Sequence, residues 1–298
     1  MRMAVTGKQG QVACSLMEVG PQLGVEIVTV GRPEMDLAAP ASVVAALIAH
    51  RPDVVVSAAA HTAVDKAESE PDQAFAVNAL GAEAVARAAA ALGVPVIHLS
   101  TDYVFAGDKQ APYIETDPTN PISIYGRSKL KGEQLVASAT ADHVILRTAW
   151  VYSPFGANFL KTMLRLADSR DEVSVVTDQH GSPTSALDLA VAVIAIAKRV
   201  VADPDRTMRG LFHLSAGGEA NWADFAEEIF RSLVERGGKT VAVKRITTAD
   251  FPTAARRPAN SRLDTGKFRD RFDIVIPDWR ASTAVVVDRL IERQGHNS

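Results

Sequence analysis

The sequence predicts an α/β protein with a doubly wound parallel sheet and a smaller C-terminal α/β unit. Over residues 1–150, short segments rich in valine and isoleucine alternate with longer alanine-rich segments. Short continuous apolar strands are typical of strands buried on both faces, and their alternation with helices indicates a parallel sheet. After residue 150 this alternation loosens, so we expect the remaining chain to form the smaller unit.

The elements are placed from the hydrophobic pattern and from the glycines and prolines between them. Strands of the sheet are predicted at residues 2–6, 25–30, 53–57, 94–100 and 143–148, with helices between them. The elements expected downstream are a helix at 158–170, a sixth strand at 173–177, a helix at 185–201, a strand at 210–215, a helix at 221–236, a strand at 241–247 and a helix near 278–293. We expect two units, composed of residues 1–157 plus 173–202 and of residues 158–172 plus 203–298.

Composition narrows the classes of function. The chain has 298 residues and a net charge of −3, so it has no basic surplus for binding nucleic acid. Its single cysteine, Cys14, excludes an intramolecular disulfide. The N-terminus lacks the pattern of a signal peptide, and the longest apolar run, 185–201, is too short and too charged to span a bilayer. We therefore expect a cytoplasmic protein with neither a membrane nor a nucleic-acid partner.

The first strand leads into a turn that is suited to binding a dinucleotide. Gly7, Gly10 and Ala13 follow that strand with the spacing G-x-x-G-x-x-A, at the start of a helix. The first glycine allows the tight turn, the second lets a pyrophosphate approach the backbone, and the small third residue lets helix and strand pack closely. The free N–H groups at the helix start would bind the phosphates. This is the pattern of a Rossmann-type fold.

The end of the second strand bears on the choice of cofactor. The acid that would hold the adenosine ribose is missing, and Arg32 lies near its position. An arginine there suits a 2′-phosphate, which favours NADPH over NADH, although a solvated loop arginine has the same pattern. Asp36 and Leu37 are suited to flanking the adenine, unless Asp36 simply caps a helix.

A tyrosine and a lysine four residues apart, Tyr125 and Lys129, lie in the predicted helix that follows Pro121. On a helix this spacing puts both side chains on one face. The pair alone is weak evidence, because a solvated surface pair has the same spacing. Thr101 strengthens it, because it comes directly after the fourth strand, and parallel sheets bind ligands at the carboxyl ends of their strands.

These three residues are suited to the reduction of a ketone. The reaction needs a hydride, which a nicotinamide supplies, and a proton, which the phenol of Tyr125 would supply. We expect the ammonium of Lys129 to lower the pKa of that phenol and to hold the nicotinamide ribose. Thr101 would hydrogen-bond the carbonyl oxygen and orient it.

The segments GKQGQV, STDYVF, YGRSKLKGEQ, RTAWVY, DQHGSPT and RPANSRLDTGKF together resemble the extended short-chain dehydrogenase/reductases. Within that family the resemblance is to the branch that reduces dTDP-4-dehydrorhamnose, and it runs through nearly the whole chain. It implies reduction of the C4 ketone of a dTDP-linked 4-keto-6-deoxyhexose, dTDP-4-dehydro-β-L-rhamnose, to dTDP-β-L-rhamnose. NADPH is the expected cofactor, and NADH remains possible.

The resemblance also implies roles for individual residues. It implies Tyr125 as the proton donor, tuned by Thr101 and supported by Lys129. Cofactor contacts are implied at Gly10, Gln11, Val12, Asp36, Leu37, Ala60, His61, Thr62, Leu99, Tyr125 and Lys129. Substrate contacts are implied at Thr101, Asp102 and Trp150.

Several candidates also have a simple structural interpretation. His61 could be a hydrogen-bonded loop residue, and Trp150 could be an aromatic residue of the core. Asn158 opens a helix, where it either caps the helix or helps to bind the diphosphate of the substrate. Arg257 and Arg262 would either bind that diphosphate or be solvated.

One departure from the resembled family concerns a metal. Some members are described as binding Mg²⁺ between subunits through glutamates, and the matching positions here are Ser15 and Leu187. Neither residue is a good ligand for a hard cation, and Glu292 could not hold the ion alone. We therefore expect no metal site, and either a monomer or a weak homodimer.

Other functions remain as alternatives. Dehydratases of the same superfamily carry Thr-Asp-Glu after the fourth strand, whereas this chain has Thr101, Asp102 and Tyr103. Epimerases are usually longer and carry serine at the position of Thr101. A reductase of another nucleotide-linked 4-keto-6-deoxy sugar, or a non-catalytic NADP-binding regulatory subunit, is the main alternative, and a turnover assay separates the enzymes from the subunit.

Overall fold

The structure is a computed structural model that describes residues 1–204 and 206–295. Its strands are β1 (Arg2–Thr6), β2 (Glu26–Val30), β3 (Val54–Ser57), β4 (Val96–Thr101), β5 (His143–Thr148), β6 (Val151–Tyr152), β7 (Glu172–Val176), β8 (His180–Gly181), β9 (Thr184–Ser185), β10 (Gly210–His213), β11 (Ala220–Asn221) and β12 (Ala242–Ile246). Its α-helices are α1 (Gln11–Gln22), α2 (Pro40–Ala49), α3 (Val64–Ser69), α4 (Pro71–Phe75), α5 (Ala82–Leu92), α6 (Ile124–Ala139), α7 (Phe159–Ala167), α8 (Ala186–Val201), α9 (Trp222–Val234), α10 (Gly266–Phe272) and α11 (Trp279–Gly295).

The largest sheet has six strands in the order β10-β5-β4-β3-β1-β2, and all of its pairings are parallel. The prediction of an α/β protein with a parallel sheet is therefore confirmed. β2 pairs with β1 along one edge of that strand, and β3 pairs with β1 along the other edge. Such a reversal of strand order opens a crevice at the carboxyl ends of the strands, where open α/β sheets bind ligands.

Both faces of this sheet are covered by apolar side chains, as its continuous apolar strands require. Met3 and Val5 belong to a core cluster that also contains side chains of α1 and α8. Ala4, between them in β1, belongs to a second cluster with side chains of α2 and α5. Alternate residues of one strand thus face opposite helical layers, which is the doubly wound arrangement.

The sixth strand of the sheet is β10, whereas the sequence pattern suggested residues 173–177. β7 instead pairs with β12 in a separate two-stranded sheet. The physical reason lies in the pattern of burial, because residues of β7 alternate between buried and exposed, whereas β3 and β4 are buried throughout. The pairing of β10 with β5 and the pairing of β12 with β7 each join segments from the two predicted units. The division of the chain into those units stays a prediction.

A continuous helical segment runs from Pro71 to Leu92, through α4, the π-helical turn Ala76–Gly81 and α5. By length and composition alone it could cross a membrane, and half of its apolar window is buried inside the protein. Its buried face contributes Val85 and Ala89 to the core cluster beside α2. The core helix of a globular protein has the same properties, so its apolar character is weak evidence for a membrane span.

Candidate active site

The turn after β1 forms the floor of the site. Gly7 has a φ of +91°, and a Cβ atom built on it would lie 3.2 Å from the Cβ atom of Ala59. Gly10 then takes an extended conformation before α1, and no side chain caps the first N–H groups of that helix. Thr6 Oγ1 accepts hydrogen bonds from the backbone N–H groups of Ala58 and Ala59, at 3.0 and 2.9 Å. The ends of β1 and β3 are thereby held together below open helix N–H groups, which fits a pyrophosphate.

A cleft of about 700 Å³ opens above this turn, within the usual range for small-molecule sites. Every residue predicted to contact the cofactor lines it: Gly7, Gly10, Gln11, Val12, Arg32, Asp36, Leu37, Ala60, His61, Thr62, Leu99, Tyr125 and Lys129. The structure thus brings together residues of five separate segments. Their contacts with a cofactor remain a prediction.

The side chains of Gln11 and Asp36 already form hydrogen bonds within the protein. The Gln11 side chain donates to the carbonyl of Val151 at 3.2 Å and accepts from the hydroxyl of Ser153 at 2.9 Å. Asp36 Oδ1 accepts from the backbone N–H of Ala38 at 3.0 Å, as in a simple turn. For Gln11, therefore, the backbone N–H at the start of α1 is the group left for a phosphate.

Charged groups surround the end of β2. Arg32 is exposed on the rim of the cleft, and among residues 1–204 and 206–295 no hydrogen bond or ion pair holds its guanidinium. Lys8, in the turn after β1, forms an ion pair with Glu34. Lys8 also lines the cleft. An unpaired arginine at this position is able to bind a phosphate.

Helix α6 carries Tyr125 and Lys129, and two glycines let it approach its neighbours closely. A Cβ atom on Gly126 would lie 2.2 Å from the carbonyl oxygen of Tyr103, and one on Gly132 would lie 2.2 Å from that of Asn78. Ser123 caps the helix by accepting the N–H of Gly126 at 3.1 Å. The helix is thus fixed against the end of β4 on one side and against the π-helical turn on the other.

The phenol of Tyr125 lies close to the hydroxyl of Thr101, the last residue of β4. Burial raises the pKa of Tyr125 to about 12. Lys129 Nζ donates to the carbonyl oxygen of Leu99 at 2.6 Å. The expectation that Lys129 lowers the pKa of Tyr125 stays a prediction.

Lys129 is nearly fully buried, and burial lowers the pKa of its ammonium to about 8. The carboxylate of Glu133, one turn further along α6, acts against this shift. Glu133 is itself paired with Arg147 through two hydrogen bonds of 2.9 and 2.7 Å, and it accepts from the hydroxyl of Ser100 at 2.5 Å. A buried acid therefore helps to keep Lys129 charged.

Asp102 follows Thr101 and is only 2% exposed. Its Oδ1 accepts from the hydroxyl of Thr101 at 2.9 Å. Burial raises the pKa of Asp102 to about 7, although the hydroxyls of Ser261 and Thr101 act to lower it. Asp102, Thr101 and Tyr125 thus lie close together, and the contacts of Thr101 and Asp102 with a substrate stay a prediction.

Trp150 has an unusual backbone, with a φ of +48°. Its ring stacks on that of Trp222 at 3.7 Å, and a Cβ atom on Gly181 would lie 2.5 Å from the indole. A left-handed conformation is costly for a bulky residue and persists only where the surroundings fix it. The indole is therefore held in one orientation, although it does not line the cleft described above.

Two residues predicted to bind the diphosphate are engaged elsewhere. Asn158 caps α7 by accepting the N–H of Lys161 at 3.1 Å, and its amide donates to Gln11 at 3.0 Å. Arg257 pairs with Asp65, through Nη2 and Oδ2 at 2.7 Å. The structural interpretation of Asn158 is thus confirmed, and binding of the diphosphate by either residue stays a prediction.

Sequence reasoning missed several residues that connect the parts of the site. Asn78, in the π-helical turn, accepts the N–H of His61 at 2.7 Å and donates to the hydroxyl of Ser128 at 2.9 Å. Ser128 in turn donates to the carbonyl of Tyr125 at 2.8 Å. π-Helical turns are frequent at functional sites, but the sequence carries no simple signal for one. Asn78 therefore ties the loop after β3 to helix α6.

The metal prediction concerned Ser15 and Leu187. Ser15 donates its hydroxyl to the carbonyl of Gln11 at 2.8 Å, inside α1. Leu187 lies in the first turn of α8, where its backbone N–H contacts the hydroxyl of Ser185. In the described part of the chain no cluster of three or more histidine, cysteine or acidic side chains is placed to hold a metal. The prediction of no metal site is not tested by this and stays a prediction.

Comparison with known proteins identifies the family of the chain. A family model described as the RmlD substrate binding domain matches residues 1–292. The dTDP-4-dehydrorhamnose reductase of Sinorhizobium fredii is 55% identical, over 98% of each chain. The chain belongs to this family of reductases. The resemblance seen in the sequence is thereby confirmed.

Solved structures of the family have the same fold. The dTDP-4-dehydrorhamnose reductase of Clostridium acetobutylicum is 36% identical, with a TM-score of 0.90 over 98% of this chain and 100% of that one. The reductase of Bacillus anthracis, solved in complex with NADP, is 34% identical, with a TM-score of 0.89 over 97% and 99%. The Rossmann-type fold is shared along the whole length of these family members.

Proposed function

We propose that this protein reduces the C4 ketone of dTDP-4-dehydro-β-L-rhamnose to give dTDP-β-L-rhamnose, with a nicotinamide cofactor. The observation that carries the proposal is the position of Tyr125, which lines the cleft close to Thr101 at the end of β4. A relative named for this reaction is 55% identical to the chain over nearly its whole length. The protein is an oxidoreductase of nucleotide-sugar synthesis.

The residues of the cleft fit a dinucleotide, because Gly7 and the uncapped start of α1 leave room and N–H groups for a pyrophosphate. Bound NADPH would supply the hydride. Lys129 is buried beside Leu99 and would hold the ribose nearest the reacting ring. We infer a preference for NADPH over NADH from Arg32, whose unpaired guanidinium would bind a 2′-phosphate.

Tyr125 is the group placed to give the proton. Because burial raises its pKa to about 12, the phenol is fully protonated near neutral pH. Thr101 donates its hydroxyl proton to Oδ1 of Asp102 at 2.9 Å. The Thr101 oxygen is therefore the atom left to accept from the Tyr125 phenol and to hold it in place.

The substrate would enter from the side of Asp102, Trp150 and the loop of residues 251–263. Arg262 donates to Asn260 at 2.8 Å, and Arg257 is paired with Asp65. Both arginines are therefore held in place, and each would need to keep or exchange these partners on binding a diphosphate. We infer that the C-terminal elements, including α9 and α11, form the nucleotide-sugar side of the site.

A single-turnover experiment with Tyr125→Phe tests the proposal. This substitution removes only the hydroxyl, so NADPH binding, followed by fluorescence, should hardly change. Loss of proton transfer should slow hydride transfer by about 10²–10⁴-fold. A matched control is Tyr152→Phe, which removes a buried hydroxyl bonded to Thr283 at 3.1 Å, away from Thr101.

The control variant, Tyr152→Phe, should have a lower free energy of unfolding but the parent rate of hydride transfer. Hydride transfer by Tyr125→Phe at the parent rate, with normal NADPH binding, would show that Tyr125 is not the donor. Absence of turnover by the parent protein on this substrate, with product analysis by mass spectrometry, would overturn the proposed function itself. Turnover of a different nucleotide-linked 4-keto-6-deoxy sugar would change the substrate but keep the chemistry.

A further inference from the structure

We propose that Asp65 is a positioning residue, which holds Arg257 and the adjoining loop against the substrate side of the active site. The inference rests on the proposed function, because it concerns the binding of the nucleotide sugar at that same site. It assigns a role to a carboxylate that does not line the cofactor cleft. The loop concerned comprises residues 251–263 and is called the arginine loop below.

Asp65 lies in the first turn of α3, three residues after Thr62, which lines the cleft. Its Oδ1 accepts the backbone N–H of Ala255 at 3.0 Å and Nη1 of Arg257 at 3.2 Å. Its Oδ2 accepts Nη2 of Arg257 at 2.7 Å. Both oxygens are thus used in a two-pronged pair, which fixes the direction of a guanidinium as well as its position.

Arg257 is held by the loop as well. Its Nη1 donates to the carbonyl of Ala255 at 3.1 Å and to the hydroxyl of Thr253. The hydrogen bond with Arg257 holds the pKa of the Asp65 carboxyl below its usual range, so the pair is charged at neutral pH. The Arg257 side chain is 21% exposed and that of Asp65 is 46% exposed. The guanidinium of Arg257 is therefore largely covered by the arginine loop. Asp65 contacts it from α3, which follows the cleft-lining residue Thr62.

The phenol of Tyr103 lies close enough to the same guanidinium to affect its pKa. The ring of Tyr103 meets that of Tyr125 edge to face, with 5.9 Å between the ring centroids. The backbone N–H of Tyr103 also donates to the hydroxyl of Thr101 at 3.2 Å. A chain of neighbouring groups thus runs from Asp65 through Arg257 and Tyr103 to Thr101 and Tyr125.

The two halves of the arginine loop are held in different ways. The second half is bonded through its backbone, because Asn260 donates to Gly107 at 3.2 Å and Tyr113 donates to Arg262 at 2.8 Å. The first half, up to Arg257, is hydrogen-bonded to Asp65 through the N–H of Ala255 and the guanidinium of Arg257. Loss of the Asp65 charge should therefore release the first half alone. Arg257 and Tyr103 would then be free to leave the substrate side while the fold stays intact.

This assignment predicts a separation of kinetic effects. Asp65→Asn should raise the KM for the nucleotide sugar about tenfold, within the range of couplings measured between contacting residues, and change kcat less than about threefold. The Kd for NADPH should not change, because Asp65 does not line the cleft. The matched control is Asp72→Asn, which removes an exposed acid from the first turn of the next helix.

Direct binding provides a second measurement. The Kd for dTDP-β-L-rhamnose, measured by calorimetry with the NADP⁺-loaded protein, should rise about tenfold in Asp65→Asn and stay at the parent value in Asp72→Asn. Arg257→Lys keeps a cation but loses the two-pronged geometry, so it should weaken binding as well. The double variant Asp65→Asn with Arg257→Lys should bind the sugar only slightly more weakly than either single variant, because both substitutions disrupt the same contact.

The inference is overturned if Asp65→Asn binds the sugar as the parent and the control do, or more tightly. It is also overturned if the effects of Asp65→Asn and Arg257→Lys multiply, or if NADPH binding falls by the same factor as sugar binding. The parent protein separates this from a failure of the proposed function. A parent that neither binds nor reduces the dTDP-sugar refutes the proposed function, whereas an active parent with unaffected Asp65 variants refutes this inference alone.

Discussion

The buried pair of Glu133 and Arg147 gives the sharpest test of how helix α6 is held in place. Glu133 is 5% exposed and Arg147 is 3% exposed, and they share two hydrogen bonds of 2.9 and 2.7 Å. Nη1 of Arg147 is buried, and it has no hydrogen-bond partner among residues 1–204 and 206–295. Glu133→Gln removes the charge that compensates this guanidinium. We expect the free energy of unfolding to fall by about 3–5 kcal/mol, as when one partner of a buried pair is removed.

The loss of unfolding free energy in Glu133→Gln should depend on whether the charge of Arg147 stays buried. Replacing Arg147 with methionine in the same chain removes the uncompensated charge, so Glu133→Gln with Arg147→Met should recover most of the loss. The packing of Arg147 on the ring of Phe105, 5.0 Å away, is partly kept by the methionine. Urea unfolding of the parent, both single variants and the double variant measures the coupling between the two residues. A loss below about 1 kcal/mol for Glu133→Gln, or simple additivity, would refute this reasoning.

The same substitution should change the pH dependence of the reaction. Glu133 acts to raise the pKa of Lys129, which burial lowers to about 8. Without the carboxylate this pKa falls further, so Lys129 loses its charge at a lower pH. The alkaline limb of kcat/KM, if it follows Lys129, should therefore shift to lower pH in Glu133→Gln. A limb at the parent pH would show that the acid acts on stability alone.

Two further predictions concern the cofactor and the buried acid. Arg32→Ala should raise the Kd for NADPH about tenfold and leave that for NADH nearly unchanged, because only NADPH carries the 2′-phosphate; equal losses in titrations with both would exclude this role. Burial raises the pKa of Asp102 from 3.8 to about 7, so its contribution to stability is present below about pH 4 and is lost as the pH rises through 7. Asp102→Asn should remove that part of the pH dependence in urea unfolding, and a parallel fall in both proteins would contradict it.

The cofactor half of the site was predictable because its signals are local. The turn after β1 is specified by glycines within one short segment, and β4 ends at Thr101 where its apolar run ends. Parallel strands bring their carboxyl ends to one edge, so residues that follow different strands converge without further information. For that reason the predicted cofactor residues, from Gly7 to Lys129, line one cleft.

The substrate half could not be predicted in the same way. Arg257 lies 192 positions from Asp65, and Asn158 lies 147 positions from Gln11, so neither partner is visible in local sequence. The assignment of residues 173–177 to the large sheet failed for a related reason. A short apolar run does not specify its pairing, and the half-exposed pattern of β7 becomes visible only in the fold.

The raised pKa of Tyr125 bears on the direction of the reaction. A proton donor must carry its proton when the hydride arrives, and burial ensures this for a phenol near neutral pH. The alkoxide formed from a ketone is a stronger base than a phenolate, so transfer from Tyr125 is still favourable at a pKa of about 12. The oxidative direction needs the phenolate instead, which burial disfavours. With Tyr125 as the proposed proton donor, the site without substrate is therefore set for reduction.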